Sequence, residues 1–169
     1  SLKSQIIYWT ESFESTNIPG SSSSYISTPT NVDLTATSGI WNMYFVYRGG
    51  VACASGKPSL LMKNSSAGIS GSSFAISPFL NHGVSKLTFI ETKGGISKVV
   101  CVYKSIDNGA NWTLVQAVSI TANICDTLRV TVNDTLVNKL KFTNESGSDV
   151  NMDNLKVYKY GDSTIIVPP

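Results

Sequence analysis

An all-β chain, folded as an antiparallel β-sandwich of the jelly-roll type, is predicted by three observations. Apolar and polar residues alternate at period two through most of the 169 residues, while the 3.6-residue period of an amphipathic helix is hard to find anywhere. Turn residues recur every 8–12 residues or so and cut out about ten short strands, the spacing of sandwiches and barrels. No internal repeat is visible, which argues against a propeller or a solenoid.

The elements follow in order. Trp9-Thr10-Glu11-Ser12-Phe13-Glu14-Ser15 opens the chain with an apolar residue, an acid and a turn at Asn17-Ile18-Pro19-Gly20. Residues 25–34 alternate weakly around Pro29 and suit an irregular edge. Residues 41–48, Trp-Asn-Met-Tyr-Phe-Val-Tyr-Arg, form a strongly aromatic strand that ends at Gly49-Gly50. Short strands at 59–63 and 73–77 come next, the second closed by Pro78. Strands at 86–90 and 98–103 flank a turn at Gly94-Gly95. After the tight turn Asp107-Asn108-Gly109 come 111–115, 117–120, 127–132 and 139–144. A single domain over 1–160 results, with 161–169 as a C-terminal linker.

The closing strand, 151–158, organises the rest. Leu155 and Val157 fall on one face, Lys156 and Tyr158 on the other, and Asp153 sits where the strand begins. First and last strands of an antiparallel sandwich often pair, which brings Glu14 beside Asp153. Two carboxylates at one sheet end repel each other unless a cation or hydrogen-bond donors lie between them.

Composition narrows the class. Charged residues are only 14%, against abundant Ser, Thr, Asn and Gly, as suits a β-rich extracellular surface. A net charge of +2 is too small to imply nucleic acid, and no run approaches the roughly 18 apolar residues of a membrane span. The chain shows no secretion signal and does not start with Met, so it is taken as an excised mature segment, secreted or held at a cell surface and monomeric. Cys53, Cys101 and Cys125 make an odd count without CxxC spacing, which indicates neither a zinc site nor a disulfide framework. Cys101, among valines, suits burial, and a Cys101–Cys125 bridge stays open.

Catalytic motifs are scarce. Ser105-Ile106-Asp107-Asn108-Gly109-Ala110-Asn111-Trp112 matches the Asp-box S-X-D-X-G-X-X-W, in which Asp107 accepts turn N–H groups, Gly109 takes positive φ and Trp112 packs beneath the loop. Sialidases carry several copies on propeller blades; one copy, with Arg48 and Arg129 the only arginines, makes no sialidase. His82, the only histidine, sits in a turn with no nucleophile beside it. Of the eleven acids only Glu91 falls at a strand end on a sheet face, so no carboxylate pair for glycoside hydrolysis stands out. A non-catalytic protein is the expectation.

Alternation points to a binding face instead. With Leu128, Val130, Val132, Leu140 and Phe142 inward, Arg129, Thr131, Lys139, Lys141 and Thr143 turn outward together, joined by Tyr103. Aromatic rings serve as platforms for pyranose faces, with polar groups for the hydroxyls. The sugar-contact set is therefore Trp41, Tyr44, Tyr47 and Arg48 with Tyr103, Arg129 and Lys141, the basic members favouring an anionic glycan and neutral glycans staying open. Trp112 is assigned to the core.

Glu11-Ser12-Phe13-Glu14-Ser15 at one end and Met152-Asp153-Asn154-Leu155-Lys156-Val157 at the other resemble the jelly-roll carbohydrate-binding modules of bacterial polysaccharide-degrading enzymes. Residues 74–80, 85–89 and the 107–112 hairpin are similar to the anchor-type, galactose-binding-like jelly rolls of secreted Bacteroidetes proteins. The resemblance implies a polysaccharide or oligosaccharide ligand and neighbouring domains of a larger secreted protein. It also implies a structural calcium tying the first strand to the last through Glu14, the Ser55-Gly56-Lys57-Pro58-Ser59 stretch and Asp153, with Ser55 where some relatives have Glu. The alternative is a protein-adhesive or stabilising jelly roll.

Overall fold

A computed structural model describes residues 6–20, 24–35, 37–49, 59–64, 72–91, 98–120 and 125–160. Among them are twelve strands and no helix: β1 (Ile7–Glu11), β2 (Thr30–Leu34), β3 (Gly39–Tyr44), β4 (Val46–Gly49), β5 (Ser59–Met62), β6 (Phe74–Ile76), β7 (Val84–Glu91), β8 (Lys98–Ser105), β9 (Thr113–Ile120), β10 (Asp126–Asp134), β11 (Lys139–Asn144) and β12 (Val150–Lys159). They form two six-stranded antiparallel sheets in a jelly-roll sandwich. The β12 sheet runs β10-β7-β12-β5-β4, with β1 alongside β12; the β11 sheet runs β2-β3-β6-β11-β8-β9.

The closing strand is the spine of its sheet, as its pattern suggests. One side of β12 pairs with β7; the other holds β5 at its start and β1 at its end, with Trp9 opposite Val157 and Thr10 opposite Lys156. Val157, Leu87 and Val130 align across three strands and are fully buried. They face Trp41, Val102, Leu140 and Phe142 of the β11 sheet, also fully buried. Each such side chain contributes about 1.5–3 kcal/mol by leaving water.

The aromatic run 41–48 is two strands rather than one. Phe45 takes a φ of 53°, the left-handed region that breaks the pleat, and the chain crosses there from β3 in the β11 sheet to β4 in the β12 sheet. Conversely, 111–115 and 117–120 make the single strand β9, because a bulge against β8 at Val102/Tyr103 absorbs the change of phase.

Cys101 is buried as its valine neighbours suggest, but a disulfide is present where the cysteine spacing indicates none. Cys101 is a free, buried thiol and Cys125 is disulfide-bonded, so no Cys101–Cys125 bridge forms. Glu91 turns inward rather than onto an open face, and pairs with Lys98 Nζ at 3.0 Å. Gly94-Gly95, Cys53 and the 161–169 segment lie outside the described residues.

Candidate functional site

The outer face of the β11 sheet carries the strongest binding geometry. Cross-strand partners share a face, and the registers place Asn31, Asn42, Ile76, Lys141, Tyr103 and Leu114 in one row across six strands. A parallel row holds Tyr44, Phe74, Thr143 and Cys101. Tyr44 and Phe74 are half-buried with ring centroids 5.5 Å apart. The Asn42 amide donates to Asn31 Oδ1 at 3.0 Å, leaving amide edges for hydroxyl groups.

At the hairpin end of this face, Lys141 Nζ lies 4.7 Å from the ring centroid of Tyr103 and 4.7 Å from that of Trp112. The hairpin places Trp112. Asp107 accepts the Asn111 N–H at 2.9 Å and the Asn111 amide at 2.7 Å, and Ser105 Oγ takes the Gly109 N–H at 2.8 Å. These donors hold the Asp107 carboxyl well down, to about 2, the Asn111 side chain being the largest influence. Gly109 has a φ of 90°, and a β-carbon there would come within 3.2 Å of the Trp112 ring. The indole thus lies against the loop but stays half-exposed on the sheet face, not in the core. Its period-two relation to Leu114 is the signal that would have placed it outside.

Other expected contacts fall elsewhere. Trp41 is fully buried, edge-on to Phe13 and Trp9, with its indole N–H on Ser38 Oγ at 2.7 Å; no ring face is left for a ligand. The Phe45 crossover sends Tyr47 and Arg48 to the β12 sheet, away from Tyr44. Tyr47 packs across Gly49 beside the Lys63–Asp149 ion pair, and burial pushes its hydroxyl up. Arg48 shares a register face with buried Leu60 and donates to the Glu14 carbonyl at 3.0 Å, so it pins a loop. Arg129 is exposed, but β10 belongs to the β12 sheet, where it aligns with Thr88 and Lys156. The outward residues of β10 and of β11 therefore face opposite directions, because the strands lie in different layers of the sandwich.

Beside the hairpin a cleft of about 430 Å³ is lined by Lys104, Ile106, Asp107, Asn111, Thr113 and Asp134. Its carboxylates are committed to internal donors: Asp134 to Lys104 Nζ at 2.6 Å and to the Leu136 N–H at 2.8 Å, Asp107 as above. The three loops around it are knit by Asn138. Its Oδ1 accepts the Asn108 N–H at 3.0 Å, its amide donates to the Ile106 carbonyl at 2.8 Å, and its own carbonyl accepts the Leu80 N–H at 2.8 Å. Exposed Phe79 (60%), Ile106 (55%) and Leu136 (66%) project from these loops.

Glu14 and Asp153 do come together. Asp153 is buried, and its carboxyl is pushed up first by that burial and then by the Glu14 charge, the Asn154 N–H acting against both. The fully committed acid of the opening motif is Glu11, which accepts the Phe13 N–H at 2.8 Å and the Thr37 and Ser38 hydroxyls. Among the described residues no group of three or more His, Cys, Asp or Glu side chains is placed to hold a metal. Of the ligands implied for a calcium, Glu14 and Asp153 are described, and residues 55–58 lie outside the described residues.

Comparison with known proteins returns the architecture. No family model matches the chain and no curated protein does. Among solved structures, the K1 cleaved adhesin domain of Lys-gingipain from Porphyromonas gingivalis superposes with a TM-score of 0.59 at 19% identity, over 90% of this chain and 98% of that one. The likeness is one of fold. The CBM22-1–GH10 modules of endo-xylanase 10B from Clostridium thermocellum match at 0.55 and 14% identity, covering 98% of this chain and 30% of the xylanase chain. A family 6 carbohydrate-binding module matches at 0.50 and 11% identity, over 78% of this chain and 94% of that one. The chain thus shares the jelly roll of carbohydrate-binding modules and cleaved adhesin domains.

Proposed function

We propose that this chain is a non-catalytic carbohydrate-binding module of a secreted or cell-surface protein, with its sugar site on the outer face of the β11 sheet. The observation that carries this is the open strip of Tyr44, Phe74, Tyr103 and Trp112, interleaved with Lys141 and the Asn31–Asn42 amides. Flat rings flanked by hydrogen-bonding groups suit the two-sided chemistry of a pyranose, apolar on its faces and polar at its rim. Three neighbours in fold are themselves named for carbohydrate-binding modules or for a complex with xylohexaose, which supports the same class of ligand. Calorimetric titration with plant and algal polysaccharides tests it. Tyr103→Ala or Trp112→Ala should each cost about 1–3 kcal/mol of binding, as for burying an aromatic side chain, or about tenfold to a hundredfold in affinity. Binding unchanged by both substitutions moves the site off this face.

A structural calcium at Glu14 and Asp153 belongs to the same proposal, supported by the convergence of a buried and a half-buried carboxylate where β1 meets β12.

A specific observation also favours docking to an adjoining domain. Phe79, Ile106 and Leu136 project from interlocked loops at one end of the sandwich, where Pro78 abuts Gly39 and exposed Ile40 follows. The nearby charges of Lys104, Asp134 and Asp107 already have internal partners, so an apolar protein surface suits this end better than a polyanion or a sugar. In the intact parent protein, lysine cross-linking should join Lys104 or Lys139 to a neighbouring domain. Cross-links confined to other faces remove this docking role.

A further inference from the structure

Lys141 is the unusual member of the aromatic strip. Its ammonium sits over two rings, Tyr103 and Trp112, and among the described residues it has no ion-pair partner. Burial holds it below the ordinary lysine range, with Glu145, among the described residues, the charge acting against that. The Glu145 oxygens are occupied by the hydroxyls of Ser72 at 2.9 Å and Thr143 at 2.7 Å. Lys139, two residues earlier on the same face, runs its stem beside Gly109 and the Trp112 loop and likewise has no ion-pair partner. Among the described residues the strip therefore holds two ammonium groups with no carboxylate in ion-pair contact with either.

Resting on the sugar-binding role proposed above, we infer that the Tyr103–Lys141–Trp112 cluster selects a carboxylated sugar, a uronate residue, over a neutral one. A neutral pyranose that stacks on either ring must first displace the ammonium from it, and gives that cation nothing in return but hydroxyls. A uronate carboxylate draws the ammonium aside as an ion pair, frees both ring faces for the sugar's C–H groups, and supplies the counter-ion that a half-buried lysine lacks. Lys139 stands ready for a second carboxylate along the same polymer. Arg129 has no part in this, since it lies on the opposite sheet.

The test uses the 169-residue chain with polygalacturonate, its fully methyl-esterified form, a neutral galactan and a sulfated galactan. The wild type should bind polygalacturonate, weaken as salt rises, and lose about tenfold or more, which is about 1.4 kcal/mol, on methyl-esterification. Lys141→Met, which keeps an apolar stem, should lose the preference for the acid and hold or improve any binding of the ester; Lys141→Arg should retain the preference. Melting curves confirm that both variants are folded, and Tyr103→Ala reports on the face itself. Equal binding of acid and ester, an unchanged preference in Lys141→Met, or binding of the sulfated galactan without the polyuronate overturns the uronate inference. In those cases a loss of binding in Tyr103→Ala still upholds the sugar face. No binding to any of the four glycans or to the wider polysaccharide panel overturns both.

Discussion

Lys98 of one sheet and Glu91 of the other meet inside the sandwich, Nζ to Oε1 at 3.0 Å, with side-chain exposures of 0% and 3%. Such a pair links the layers at a fixed register, because neither charge tolerates burial without the other. Lys98→Met should therefore cost about 3–5 kcal/mol in urea unfolding, and Glu91→Leu combined with Lys98→Met should recover most of it. A single-variant loss no larger than the roughly 0.5 kcal/mol of an ordinary surface change would mean the pair is solvated.

Asp153 sets a pH dependence. Its carboxyl is raised by burial and by Glu14, and a carboxyl raised on folding stabilises the folded state below its unfolded pKa of about 4, losing that contribution as pH rises through the folded value. In chelator, stability should fall by this share as pH rises above about 4, and Asp153→Asn should remove it. Calcium should raise the melting temperature of the wild type at neutral pH by mass action, and leave Asp153→Asn unmoved. Identical melting curves in calcium and chelator take the ion away from this pair.

Trp41 and Trp112 should separate cleanly. Trp41→Ala empties the centre of the core and should destabilise by about 3–5 kcal/mol. Trp112→Ala should lower glycan affinity with little change in melting temperature. A binding defect in a still-stable Trp41→Ala protein would reverse the assignment.

The three cysteines give a chemical check. In the native protein the Cys101 thiol should not react fast, since it is buried and that burial raises it. Reductant should lower stability by about 2–5 kcal/mol through the Cys125 disulfide. Peptide mapping that finds Cys125 free without reductant would refute it.

How far the amino-acid string alone carries is visible in particular residues. The β1–β12 pairing, the hairpin around Asp107 and the proximity of Glu14 to Asp153 are all legible, because each follows from local pattern plus one topological rule. Tyr103 and Lys141 are correctly placed on one face for the same reason. Arg129 is not, because period two says inside or outside but never which of two sheets a strand joins. Phe45 hides the crossover: nothing in Tyr-Phe-Val signals a left-handed residue, a conformation that non-glycine side chains seldom adopt. Glu91 looked like a residue on an open face because its buried partner, Lys98, lies in the other layer.

The adjacency of β1 and β12 has a mechanical corollary. Ile6 and Tyr160 leave the sandwich side by side, with the Lys159 N–H on the Ile6 carbonyl at 2.8 Å and the Tyr160 N–H on the Gly83 carbonyl at 3.4 Å. A pull that separates these two points loads the pair from one end. Antiparallel ladder bonds run perpendicular to the strands, so they are stressed one after another, as in a zipper, rather than sheared all at once. Under tension this jelly roll yields first along the seam between its first and last strands, starting at Ile7 opposite Tyr158 and moving inward toward Glu11. The outer face of the β11 sheet, which contains no part of β1, stays intact as that first strand peels away.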